Sequence, residues 1–170
     1  MKIRHQRGTL GFRRWRAILI PAAAVMVVPA LAVDAQAAPS RTVTSNAAMR
    51  IMDYETFGSN PVYNRNSFVT TADIPVGETR DAQHTVKVGG EIRVEVRFTL
   101  QHDTGGFIHV INGLVLLFEG ASEDTGDLDG VRVIPHLFLW PGQTESTFIH
   151  VYSVEEPDDK ADITLTVRNP

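Results

Sequence analysis

The chain contains no cysteine. Disulfides, thiolate metal sites and thiol nucleophiles are therefore excluded, as is a lipid-bearing cysteine at the start of a processed chain. The fold has to hold by its core alone. Also missing are a Gly-x-Ser-x-Gly elbow, a His-Glu-x-x-His helix and a Gly-rich phosphate loop opening a helix, so no motif for catalysis is present. A convincing helical period is absent beyond the first 37 residues, and so is a cluster of basic residues in that part of the chain. The formal net charge is −4, and without a basic footprint neither nucleic acid nor an anionic membrane surface is an expected partner.

What is present begins with an export pattern. Lys2, Arg4, Arg7, Arg13, Arg14 and Arg16 form a basic start, Ala17 to Val33 is apolar, and Ala35-Gln36-Ala37 is a small-residue cleavage site. The apolar run is interrupted by Pro21 and Pro29 and falls short of the roughly 20 residues that a spanning helix needs. The reading is a signal peptide over 1–37, cleaved after Ala37, with the mature chain secreted and not membrane-bound. Arg13-Arg14 raises the twin-arginine route, but Trp15 and Arg16 depart from that pattern, so the general secretory route is expected. Cleavage removes the six basic residues named above and one acidic residue, Asp34, which takes the formal charge from −4 to −9.

From 38 to 48 the chain is small and polar and reads as a flexible leader. Residues 49–170 are enough for one self-sufficient domain. Met49 to Tyr54 reads as a short strand, Phe57 to Asn66 as a loop rich in turn residues, and Ser67 to Thr71 as an edge strand. The plainest signal is Glu91 to Leu100, where Ile92, Val94, Val96, Phe98 and Leu100 alternate with polar residues: a strand with one wet face. His84 to Val88 precedes it across Gly89-Gly90, which reads as a tight hairpin or a crossing between sheets.

Phe107 to Ile111 and Leu114 to Phe118 flank Asn112-Gly113, the pair best suited to a two-residue hairpin turn with positive φ at both positions. That hairpin would group Ile108, Val110, Val115 and Leu117 on one face and leave Phe107, His109, Ile111, Leu114, Leu116 and Phe118 on the other. Both faces are apolar, so the second needs cover from another segment, a second copy or a ligand. Pro135 marks an edge or a bulge in the run Val131 to Trp140. Thr147 to Val154 and Ala161 to Val167 complete a set of short strands. The fold class is all-β, an antiparallel β-sandwich. In architecture it resembles immunoglobulin-like extracellular modules, without the paired cysteines and intervening tryptophan of true immunoglobulin domains.

Three sets of residues carry chemical hints. His109, His136 and His150 each sit in a strand, and imidazoles converging from neighbouring strands would suit zinc or copper; the competing reading is three packing histidines with one hydrogen bond each. The loop Glu119 to Gly130 carries Asp124, Asp127 and Asp129 with Glu123, which suits calcium, against a solvated hairpin tip whose Asp and Gly merely favour a turn. Tyr54, Phe57, Tyr63 and Phe68 form either an aromatic surface for a glycan or protein, or the cover for the two-faced hairpin. His102-Asp103 is a candidate acid/base pair, although neighbours in a chain often point apart. The leading expectation is a secreted, non-enzymatic binding protein with a protein or glycan partner or a homo-oligomer, and no required cofactor. The alternatives are a metal or small-ligand binder using calcium, zinc or copper, and an extracellular hydrolase.

Overall fold

The computed structural model describes residues 39–54, 58–156 and 158–170. The signal peptide expected over 1–37 and Phe57 lie outside the described residues. The described chain is all strand and loop. In chain order the strands are β1 (Ser40–Met52), β2 (Val62–Pro75), β3 (Thr79–Val88), β4 (Ile92–His102), β5 (Ile108–Phe118), β6 (Leu128–Val133), β7 (Leu137–Leu139), β8 (Thr144–Tyr152) and β9 (Lys160–Arg168). They form two packed antiparallel sheets. The first has the order β2-β1-β9-β8; in the second, β3-β4-β5 is completed by β6 and β7, both of which pair with β5.

Period-two burial builds the core between the sheets. Val94, Val96, Phe98 and Leu100 of β4 and Ile163, Leu165 and Val167 of β9 belong to one core cluster, all of them almost wholly buried. Gly89 and Gly90 both have positive φ, and they turn β3 directly into β4, so the hairpin reading of that pair is the one observed.

Expectations are corrected in two parts of the chain. Of the segment 38–48 read as a flexible leader, the residues from Ser40 onward are the first part of β1, hydrogen-bonded on one side to β2 and on the other to β9. Its inward positions, Val43, Ser45, Ala47, Met49 and Ile51, alternate without a break, but two of them are small or polar and do not register as an apolar period. Residues Val62 to Asn66, read as loop, likewise belong to β2.

The second correction concerns Asn112-Gly113, which does not reverse the chain. It is a bulge within the continuous strand β5. Opposite it on β4 the register steps from Arg97↔Leu114 to Thr99↔Ile111, so three residue steps on β5 oppose two on β4. Only Asn112 has positive φ, at 52°, whereas the hairpin turn requires it at both positions. An extra residue inverts parity as a two-residue turn does, so Ile108, Val110, Val115 and Leu117 share the buried face in either case. At Pro135 the outer strand breaks into β6 and β7, because proline supplies no amide donor.

Candidate functional site

The outward face of the second sheet is where the apolar side chains predicted to need cover are found. Near the β5–β6 end, Leu116 and Phe118 are covered by charged side chains of β4. The Arg93 guanidinium lies 4.1 Å from the centre of the Phe118 ring, and its Nε is 3.0 Å from Glu95 Oε1. Glu95 also pairs with Arg97, and is itself buried. Long side chains with charged tips shield apolar surface in this way while keeping the charge paired.

Toward the other end this cover stops. Phe107, Phe138 and Trp140 cluster by edge and face, with ring centres of Phe107 at 5.2 Å from Phe138 and 4.8 Å from Trp140. Trp140 remains 58% exposed, and the adjoining strip includes Leu114, Val131 and Val133, the last 74% exposed. Between β6 and β7 a groove of about 550 Å³ opens over the bulge, lined by Ile111, Leu114, Val133, Ile134 and His136.

His109 and His136 adjoin the aromatic cluster; His136, expected in a strand, lies instead in the break that Pro135 makes between β6 and β7. One ring nitrogen donates to the other across 3.1 Å, His109 Nδ1 to His136 Nε2 or the reverse, and the His109 ring packs edge-on against Phe138. On its far side, His109 Nε2 is 3.7 Å from Asp103 Oδ2. The Thr104 amide donates to Asp103 and holds its carboxyl below the usual carboxylate range, with His109 adding to the effect. The result is a surface line Asp103, His109, His136. His150 is not part of it: it lies on the outer face of the first sheet, 2.7 Å from Asp162. His102 is buried and donates from Nδ1 to the Ile74 carbonyl at 2.7 Å, whereas Asp103 is engaged by Thr104 and His109.

The acidic loop is divided: Asp127 and Asp129 line a cavity with Glu119 and Glu156, and Asp124 does not. Asp124 is taken by Lys87, whose ammonium holds its carboxyl low. Asp129 Oδ2 accepts the Glu119 amide at 3.0 Å, and burial raises its pKa, with Asp127 and Glu156 adding repulsion. The residues that do converge were not singled out in the sequence. Glu119, Glu156 and Asp159 bring one carboxylate oxygen each to within 4.8 Å of the others. The Asp159 carboxyl is pushed up to about 6 by burial and then by Asp53 and Glu156; that of Glu119 goes to about 7 by burial and then by Asp159, Glu156 and Asp129. Extending the alternation of each strand one step past its apolar end would have found them. Glu119 follows the inward Val115 and Leu117, and Asp159 precedes the inward Ala161 and Ile163.

The aromatic residues Tyr54, Tyr63 and Phe68 are not brought together. Tyr63 packs against the core, Phe68 is exposed on the outer face of β2, and Tyr54 is in the β1–β2 loop. None covers the outer face of β5. A further arrangement resembles a catalytic pair but is sealed in: His84, fully buried, has Ser45 Oγ 2.9 Å from Nε2 and Ser67 Oγ 3.1 Å from Nδ1. The chain matches no known protein family, no curated protein and no solved structure.

Proposed function

We propose that this is an exported, non-enzymatic binding module, immunoglobulin-like in general architecture, whose binding face is the outer side of β5, β6 and β7. The observation that carries the proposal is the cluster Phe107, Phe138 and Trp140, with exposed Leu114 and Val133 farther along the same sheet face across the groove at His136, where water would otherwise favour polar residues. Exposed tryptophan with rigid aromatic neighbours is the composition of an interface centre, since it offers large apolar area for little loss of conformational entropy. Export rests on the sequence of residues 1–37 alone.

The most direct form of such binding is self-association through this face. Sedimentation velocity from 1 to several hundred micromolar, on the protein and on Val133→Asp and Trp140→Ala, tests it: the expected result is a concentration-dependent dimer that both substitutions weaken. Should the protein remain monomeric, the face is left to a glycan or another protein, which titration of Trp140 fluorescence with soluble polysaccharides would read. A monomer whose fluorescence is unmoved across such a panel sinks the glycan and self-association forms together.

A second reading is favoured by the 3.1 Å contact of His109 Nδ1 with His136 Nε2, which puts two imidazoles beside Asp103 in position to share a zinc or copper ion. Calorimetry with each metal on the protein and on His136→Ala tests this, and the absence of heat removes it. His150 belongs to neither reading.

A further inference from the structure

At the end of the sandwich where β1, β5 and β8 finish and β9 begins, the inward-facing positions change from apolar to polar. Along β1 the inward series Ala47, Met49, Ile51 continues to Asp53; along β5, Val115 and Leu117 continue to Glu119. In β8, Ile149 and Val151 lead to Ser153, and in β9 the series Leu165, Ile163, Ala161 runs back to Asp159. The core is thus capped by side chains that the fold aims inward, not by a solvated loop tip.

Burial of the cap is close to complete at its centre. Asp159 is 1% exposed and Ser153 is fully buried. Asp159 Oδ1 accepts the Tyr54 amide at 2.5 Å, while Asp159 Oδ2 and Glu119 Oε2 are buried and reached by no amide, hydroxyl or cation, so the two carboxyls can hydrogen-bond to each other only by sharing a proton. No lysine, arginine or histidine among the described residues pairs with Glu119, Glu156 or Asp159. Buried carboxylates without a cationic partner are costly, and proteins relieve the cost by neutralising the group or by coordinating a metal.

The surrounding backbone holds the three carboxylates in place. The Ser153 amide donates to the Asp159 carbonyl and the Asp159 amide to the Glu156 carbonyl, both at 2.9 Å, while the Glu156 amide donates to Ser153 Oγ at 3.0 Å. Across the sandwich, the Val154 amide donates to the Asp129 carbonyl at 2.9 Å, and Asp129 in turn accepts from the Glu119 amide. The β5–β6 and β8–β9 loops therefore approach each other around this point.

We propose that a calcium ion binds here, held by Glu119 from the second sheet and by Glu156 and Asp159 from the β8–β9 loop, and that it clips the two sheets together at this end. The ligand chemistry points to calcium. All donors are oxygens, three are carboxylates, and oxygens bonded to one calcium at about 2.3–2.6 Å lie up to roughly 5 Å apart, which accommodates the observed 4.8 Å limit. Magnesium would demand a smaller, near-octahedral set. Asp127 and Asp129 line the same cavity as Glu119 and Glu156, whereas Asp124 is held by Lys87 outside it, and the site is separate from the binding face on β5, β6 and β7. In a domain without disulfides it would supply a cross-link between loops that belong to different sheets.

The test is thermal unfolding of the EDTA-treated protein at pH 7.5, with and without calcium chloride. Calcium at about one hundred times its Kd should raise Tm by several degrees. Asp159→Asn and Glu119→Gln each remove one of the repelling charges, so their metal-free Tm should equal or exceed that of the parent, and the rise with calcium should vanish. Asp124→Asn, which touches only the Lys87 pair, should keep the full rise. The proposal is overturned if up to 10 mM calcium leaves the parent Tm unchanged, because the carboxylates are then neutralised by a shared proton. A calcium-dependent rise that survives both Asp159→Asn and Glu119→Gln overturns it equally, since the ion must then bind elsewhere. Glu119 is only half-buried, so its variant gives a result even if Asp159→Asn does not fold.

Discussion

His84 shows how one buried side chain makes stability depend on pH. Its two ring nitrogens are both used by serine hydroxyls, Ser45 on β1 and Ser67 on β2, so the ring ties the second sheet to the first. Burial lowers its pKa from 6.5, outweighing the Ser67 interaction that raises it. Because the unfolded chain binds the proton more readily than the folded one, the contribution of neutral His84 is fully present above the ordinary histidine range and is lost as pH falls through and below it. His84→Gln keeps a polar side chain of similar reach and does not titrate. The stability difference between parent and variant, measured by urea unfolding, should therefore shrink from pH 7.5 to pH 5. A difference that does not vary with pH would mean that His84 takes up its proton as readily in the folded chain as in the unfolded one.

Strand β5 is the element on which the candidate surfaces depend, and its bulge decides which side chains reach them. Asn112 holds a φ of 52°, a region that asparagine tolerates and a β-branched residue does not. Asn112→Gly is expected to fold with stability within about 1 kcal/mol of the parent, while Asn112→Val should lose roughly 1–3 kcal/mol. The neighbouring glycine is needed for a different reason. A Cβ on Gly113 would lie 2.6 Å from Ile134 Cβ, and the Gly113 carbonyl accepts the Ile134 amide at 2.9 Å. Gly113→Ala should therefore cost about 1–3 kcal/mol through overpacking. Equal tolerance of alanine and glycine at 113 in denaturant melts would refute the close approach. The groove between β6 and β7 lies beside this contact, so its shape rests on Gly113 and the interruption at Pro135.

At the scale of the whole molecule, the two ends of the sandwich are closed differently. The acidic cap closes one; at the other, Asn169 gathers three segments. Its Nδ2 donates to the Gly106 carbonyl at 2.8 Å and to that of Leu139 at 3.2 Å, while its backbone carbonyl accepts the Gly142 amide at 2.7 Å. Asn169→Ala leaves two buried carbonyls without their donor and should cost about 1–3 kcal/mol. It should also alter the β4–β5 and β7–β8 turns that carry Phe107 and Trp140. Urea unfolding combined with Trp140 fluorescence reads both, and a variant matching the parent in each would show that the bonds are replaced by water.

What the amino-acid order determined by itself was local. The strand Glu91 to Leu100 was legible because a half-buried strand must alternate, and the partition of β5 residues between faces was legible because parity alone decides it, whether the chain turns or bulges at Asn112-Gly113. The absence of cysteine left the core to hold the domain. Non-local matters were settled only by the tertiary structure. The polar start of β1 became a central strand because β2 and β9 flank it, not because its own residues are apolar. Of the three histidines expected in strands, pairing of β5 with β7 brought His109 to His136, which lies in the break just before β7, while His150 is on the other sheet. Glu119 and Asp159 are forty residues apart in the chain and unremarkable there; they meet because two strands from different sheets end at the same place with the same inward parity. Side-chain parity can be read along one strand, but which strand ends share a neighbourhood depends on sheet order, and that is a property of the packed molecule.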